Sequence, residues 1–249
     1  MQKVSNKMKA VTSFHVMEVM SRAKALESQG RHVIHMEVGE PDFTTPQPII
    51  DQGIRFLQTG AIHYTEAQGL LALREKIAAF YLEQYHVVVP PERIFITPGA
   101  SGALTIALAA VLEHGDEVLM ADPGYPCNSN LTTLFGGIPK TINVALEDDF
   151  QLTPERVLEH WGPKTKGVML ASPSNPTGNI IPAKNLAELI KVSEKKSGFL
   201  ISDEIYHGLV YDQPAVSALS FSDQTFVINS FSKFFGMTGW RLGWLIVPE

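Results

Sequence analysis

The sequence holds a single cysteine, Cys127. That excludes an intrachain disulfide and a cysteine-built zinc site, and it agrees with a reducing compartment. No stretch approaches the roughly 18 consecutive apolar residues of a membrane span. The opening MQKVSNKMKAVTSFHVMEVMSRAKAL lacks the continuous apolar core of a secretory signal. A cytoplasmic protein without a membrane partner is expected. There is no GxGxxG fingerprint for a dinucleotide. Eight histidines form no metal motif: His32 and His35 share no carboxylate or cysteine partner at ligand spacing, and His207 follows Tyr206 in a strand-end loop. No metal is expected, and structural or solvent-facing roles suit most of these histidines. Positive charge is also scarce. The formal net charge of −6 makes a nucleic-acid backbone an unsuitable partner, although one basic pocket can still hold a small anion. Sixteen prolines and nineteen glycines are scattered among apolar runs, so there is no low-complexity tract, and no internal repeat is found.

What is present suits a globular α/β core: 249 residues, 45% hydrophobic and 18% charged. Helical spacing marks residues 12–29, 47–58 and 70–85, with the short apolar run HVIHMEV at 32–38 between the first two. From Arg93 onward, short β-rich runs alternate with helix-length segments. The expected strands are 93–98, 116–122, 139–146, 167–173, 198–204, 225–231 and 243–248. Such alternation predicts a mostly parallel sheet buried by helices on both faces, a three-layer α/β/α arrangement. The last run follows Lys233 too closely for another full helix, so it is expected to pair antiparallel.

Ligands of such sheets lie beyond the carboxyl ends of the strands. Five polar groups follow predicted strand ends: 99–101 (GAS), Asp122 with PGYP, 174–178 (SNPTG), Asp203 with Tyr206, and Ser230, Ser232 and Lys233. The segment SFSKFFGMTGWRLGW, 230–244, places two hydroxyls, an amine and the Arg241 guanidinium within a short distance. A lysine made nucleophilic by partial burial and nearby positive charge reacts with carbonyls, and an arginine with small hydroxyls suits a phosphate. An isolated lysine is usually a solvated surface group. Asp203 ends an apolar run, where a carboxylate is costly to bury without a cation or several donors. The Gly-Ala-Ser step before an apolar helix offers free N–H groups and a helix dipole, although an ordinary strand-to-helix turn would read the same way.

Spacing joins these parts. Ser-x-Ser-Lys, five residues, then Gly-x-Arg-x-Gly resembles the lysine signature of the class I/II aminotransferases, enzymes dependent on pyridoxal 5′-phosphate (PLP). The D-x-x-Y element (Asp203, Tyr206) and the N-P-x-G turn (Asn175, Pro176, Gly178) resemble the same family, and the likeness runs from about residue 12 to Glu249. It implies the fold-type I PLP-transferase fold with a mixed seven-stranded sheet. Residues 1–45 would contribute to a small domain and the substrate side, and 46–249 would form the PLP-binding large domain. The rest of a C-terminal small domain, with the arginine that clamps the substrate α-carboxylate, would be missing from this chain.

By the same resemblance, Lys233 would carry the cofactor and move the reacting proton. Asp203 would pair with the ring nitrogen, and Tyr206 and Asn175 would bond the phenolic oxygen, Asn175 also meeting substrate. Ser230, Ser232, Arg241 and the amides of Gly99, Ala100 and Ser101 would hold the phosphate. Tyr125 would stack on the ring, and Tyr64 would cross a dimer interface to the partner's phosphate. The backbone of Gly39 would meet the substrate carboxylate, although a tight turn also explains this glycine. The implied activity is transamination between an L-amino acid and a 2-oxo acid in a homodimer. The alternatives are a sister reaction on the same fold (a carbon–sulfur β-lyase or an aminocyclopropane-carboxylate synthase) and a non-catalytic or truncated PLP-binding module.

Overall fold

The computed structural model describes residues 4–211 and 213–249. Seven strands form one sheet: β1 (Ile94–Thr97), β2 (Glu117–Asp122), β3 (Ile138–Asn143), β4 (Thr165–Ala171), β5 (Phe199–Asp203), β6 (Phe226–Ser230) and β7 (Gly243–Ile246), in the order β1-β7-β6-β5-β4-β2-β3. All seven expected strands occur, each within a few residues of its predicted limits. β2 to β6 pair in parallel, whereas β7 is antiparallel to both β6 and β1. β1 therefore points the same way as β6. The carboxyl ends of β1, β2, β4, β5 and β6 meet the amino end of β7 along one edge.

The helices are α1 (His15–Glu27), α2 (Gln47–Thr59), α3 (Leu71–Tyr85), α4 (Gly99–Val111), α5 (Pro126–Leu134), α6 (Pro154–His160) and α7 (Ala183–Lys195). Between β5 and β6, among the described residues, a 3-10 turn, Ala218–Ser220, takes the place of a crossover helix. The apolar run at 32–38 forms no strand and leaves Ile34 and Met36 exposed. None of the helices among the described residues is long and apolar enough to cross a membrane.

Alternation along the strands builds two cores, because successive side chains leave opposite faces. Val118, Met120, Met169, Ile201, Ile228 and Leu245 pack against Ala103, Leu104, Ala107 and Leu108 of α4. Leu119, Val168, Leu170, Leu200, Val227, Trp244 and Ile246 line the other face with Ile77 and Tyr81 of α3 and Leu189 of α7. Each fully buried leucine or isoleucine contributes about 1.5–3 kcal/mol, so the pattern fixes register. A slip of one residue would exchange the two faces. Helix α2 differs: none of its residues is buried, and Ile54, Phe56 and Leu57 are exposed.

Candidate active site

The strand edge collects the predicted groups because every contributing strand ends, or in the case of β7 begins, there. A cavity of about 900 Å³ opens at this edge, lined among others by Gly39, Ala100, Ser101, Tyr125, Asn175, Asp203, Tyr206 and Lys233. Lys233 follows β6 and is half-buried. Its amine donates to the Gly39 carbonyl oxygen at 2.7 Å. Desolvation lowers its pKa, the Arg241 charge adds to that, and Glu40 opposes it. Asp203 shares the face of Ile201 and keeps an accessible edge toward the cavity. Burial of the rest of the carboxyl pushes its pKa up to about 6, against the Ile205 N–H that donates to Oδ1 at 3.1 Å. Charge on Glu204 pushes the same way as burial.

Asn175 Nδ2 donates to the Tyr206 hydroxyl at 3.2 Å, so the two groups assigned to one phenolic oxygen lie within a hydrogen bond of each other. Burial raises the Tyr206 pKa, with the Asp203 charge adding. Tyr125 and Phe14 make a T-shaped contact, with ring centroids 5.7 Å apart and an interplanar angle of 87°. Such T-shaped contacts hold both rings.

The proposed phosphate groups are arranged differently from the rest. No side chain caps the N-terminus of α4, and its first turn carries no acidic residue. Gly99 has φ +73°, and a Cβ built there would lie 2.5 Å from Arg241 Nη2. A side chain at 99 would therefore displace the guanidinium. Gly243 is equally tight, since its Cβ would meet the Gly99 carbonyl carbon at 2.7 Å. The Gly-x-Arg-x-Gly spacing thus lets β7 pass the helix terminus and delivers Arg241 to it. Arg241 itself is exposed, and Nη1 donates to the Thr238 carbonyl at 2.9 Å. Ser230 and Ser232 are buried, with their hydroxyls 2.8 Å apart, and Ser230 Oγ also lies 3.0 Å from the Leu242 carbonyl oxygen. Neither serine nor Arg241 is among the cavity's lining residues. Tyr64 is fully exposed and does not line it either.

The family model described as aminotransferase class I and II matches residues 31–249. The chain belongs to the class I and II aminotransferase family. It is 43% identical over 237 residues to the (5-formylfuran-3-yl)methyl phosphate transaminase of Methanocaldococcus jannaschii, covering 94% of this chain and 61% of that protein. It is 38% identical over 249 residues to the aspartate aminotransferase of Thermotoga maritima, covering 99% and 66%. The solved structure of Thermus thermophilus aspartate aminotransferase with maleate superposes with a TM-score of 0.95 at 31% identity, covering 100% of this chain and 65% of that one. The chain thus spans about three-fifths to two-thirds of the length of these relatives.

Aminotransferases of this family depend on PLP. The residues here fit that group: a half-buried amine of lowered pKa, a carboxyl with one accessible edge, and an uncapped helix terminus with a guanidinium against its first glycine. Sequence reasoning missed two parts of the surroundings. Glu204 and His207 form a buried pair behind Asp203, and the strand-end loop that holds His207 gave no sign of this partner. The step from Asp203 to Glu204 was the available signal, since adjacent strand residues face opposite ways. The cavity walls from Phe14, Met17 and 209–211 carried no motif. His35 pairs with two carboxylates, Glu37 at 2.7 Å and Glu27 at 3.1 Å, because the segment at 32–38 folds back beside α1 instead of joining the sheet. No group of three or more potential metal ligands occurs among the described residues.

Proposed function

We propose that this protein is a PLP-dependent transaminase that moves an amino group between an L-amino acid and a 2-oxo acid. The observation that carries the reading is the convergence of Lys233, Asp203 and the Asn175–Tyr206 pair on one cavity at the ends of three strands. When bound, the cofactor supplies an aldehyde for the lysine and a ring that takes up the electron pair left at the substrate's α-carbon.

The remaining tasks fall to the chain's own residues. Asp203 would carry the charge that keeps a proton on the ring nitrogen, and Asn175 and Tyr206 would donate to the phenolic oxygen. The amides of Gly99, Ala100 and Ser101, with Ser230, Ser232 and Arg241, would hold the phosphate, and Tyr125 would cover the ring face. Lys233, once displaced by the substrate's amine, would take the proton from Cα and return it as general acid. Its lowered pKa suits both roles. Gly39 would meet the substrate carboxylate after releasing the lysine amine.

We infer further that residues 46–249 form the PLP-binding large domain and 1–45 an N-terminal segment on the substrate side. A cytoplasmic homodimer is the inferred state. The single cysteine supports the compartment, and the apolar Ile54, Phe56 and Leu57 on an unburied α2, beside an exposed Tyr64, support a second copy as partner. The test is the visible absorption spectrum with added PLP, before and after borohydride, for wild type and Lys233→Ala. A cofactor band that borohydride fixes on Lys233, absent in the variant, is the expected result. Equal bands in both proteins would sink the assignment of Lys233.

A further inference from the structure

Asn175 stands on the loop that leaves β4. Ser172, Pro173 and Ser174 are buried, whereas Pro176 and Gly178 are exposed, so the outer half of the loop relies on backbone hydrogen bonds for its shape. The Ser174 N–H donates to the Asn179 carbonyl oxygen, and the Gly178 N–H to the Ser174 carbonyl oxygen, each at 2.9 Å. At the base, the Ile181 N–H donates to Ser172 Oγ at 3.0 Å, and the Ser172 N–H to the Asp203 carbonyl oxygen at 3.1 Å.

A further partner comes from another part of the chain. Gln151 is buried, and its Nε2 donates to the Asn179 carbonyl oxygen at 2.5 Å and to the Ala171 carbonyl oxygen at 3.3 Å. Ala171 is the last residue of β4, and Asn179 lies where the loop returns. One side-chain amide therefore spans both ends of the loop, with Asn175 between them. The Asn179 oxygen serves two donors, Ser174 N–H and Gln151 Nε2, which uses both of its lone pairs. Gln151 is itself held from both sides. Its own N–H donates to the Asp148 carbonyl oxygen at 3.0 Å, Leu152 is fully buried in the core, and Thr153 Oγ1 accepts from the Arg156 N–H at 3.3 Å at the start of α6. The amide reaches the loop from a fixed base.

We propose that Gln151 is a positioning residue of the site: its amide clamps the loop 172–178 and so holds Asn175 where it donates to the cofactor's phenolic oxygen. The proposal rests on the transaminase reading above and on the role given there to Asn175. A hydrogen bond weakens steeply as its geometry departs from the optimum, so a loop free to shift would weaken this donor without touching the ligand otherwise.

The test is the pH titration of the visible band of PLP-loaded protein, which changes as the Lys233–cofactor linkage loses its proton. A donor to the phenolic oxygen draws charge away from that proton, so losing the donor makes the proton harder to remove. Asn175→Ala is expected to move the midpoint up by about one pH unit or more. Gln151→Met keeps the length of the side chain, removes both donors and adds no charge. Glu37, Glu40, Asp203, Tyr206 and Arg241, the titratable and charged groups around the linkage, are the same in both proteins. It is expected to move the midpoint the same way by about half a unit, and to add nothing further when combined with Asn175→Ala. Gln151→Leu serves in its place if Gln151→Met does not fold. A lowered melting temperature with a wild-type titration would make Gln151 merely structural and overturn this proposal alone, as would fully additive shifts in the double variant. An unmoved midpoint in Asn175→Ala would overturn the role of Asn175 together with that of Gln151. Failure of borohydride to fix cofactor on wild-type Lys233 would overturn the transaminase reading and this one with it.

Discussion

Asp203 and Glu204 are neighbours with the same charge chemistry, yet they serve two different regions. Asp203 ends β5 on the α4 face and reaches the cavity, where burial leaves its pKa at about 6. Glu204 follows on the opposite face and is fully buried, and its pKa is pushed up to about 7. Its Oε1 accepts from the Ala218 N–H at 2.8 Å and from the Ser202 and Ser217 hydroxyls at 3.2 Å each. That ties the β5 exit to the 3-10 turn in place of a crossover helix. His207 Nδ1 lies 3.6 Å from Glu204 Oε2 and 2.9 Å from the Tyr85 hydroxyl. Burial holds this imidazole down at about 4. One carboxyl is thus left open to a ligand while the next is consumed in holding the frame.

Replacing each carboxyl should separate the two tasks. Asp203→Asn is expected to lower the rate of the amino-donor half-reaction of loaded protein about a hundredfold or more, since a fixed charge at the reacting group is lost, with little change in melting temperature. Glu204→Ala should do the reverse, destabilising the cofactor-free protein by about 3 kcal/mol in denaturant titration as buried donors lose their acceptor. Exchanged outcomes, a melted Asp203→Asn or an indifferent Glu204→Ala, would break the comparison.

The pH dependence sharpens it. Between about pH 4.5 and 7 the folded chain keeps a proton on Glu204 that the unfolded chain releases, so this group alone makes stability fall as pH rises. His207 stays neutral in the fold while the unfolded imidazole binds a proton below about 6.5, so it alone makes stability fall as pH drops toward 4. Over the shared window the two slopes oppose each other. Relative to wild type, His207→Gln should therefore lose stability from pH 5 to 7, and Glu204→Gln from pH 6.5 to 4.5, each by up to about 1.4 kcal/mol per pH unit. Parallel wild-type and variant melting curves across this range would show that the two groups do not titrate as described. The smallest expected effect on stability is that of Tyr64→Ala, within about 0.5 kcal/mol for an exposed side chain. Its cofactor affinity, measured by equilibrium dialysis, should fall only if a second copy brings Tyr64 to the phosphate.

Much of this was legible in the chain. Strand limits followed from alternation, and the strand-end rule picked out Lys233, Asp203, Asn175, Tyr206 and the 99–101 step, all of which border the cavity or its helix terminus. Ser230 and Ser232 were legible as a motif but not as geometry, because their hydroxyls bond within the turn that shapes the lysine loop. His207 read as a loop residue and is buried, since a loop that crosses a core face is burdened with that face's chemistry.

The sequence by itself determined the sheet, its two faces and the order of the site groups, because period-two burial and strand-end turns are local properties written at fixed spacing. Only the tertiary structure decided which apolar residues became cavity wall and which carboxyl became frame. Phe14 meets Tyr125, and His207 meets Tyr85, across more than a hundred residues of chain. Distances of that kind are set by how segments far apart in the chain pack together, and no local pattern encodes them.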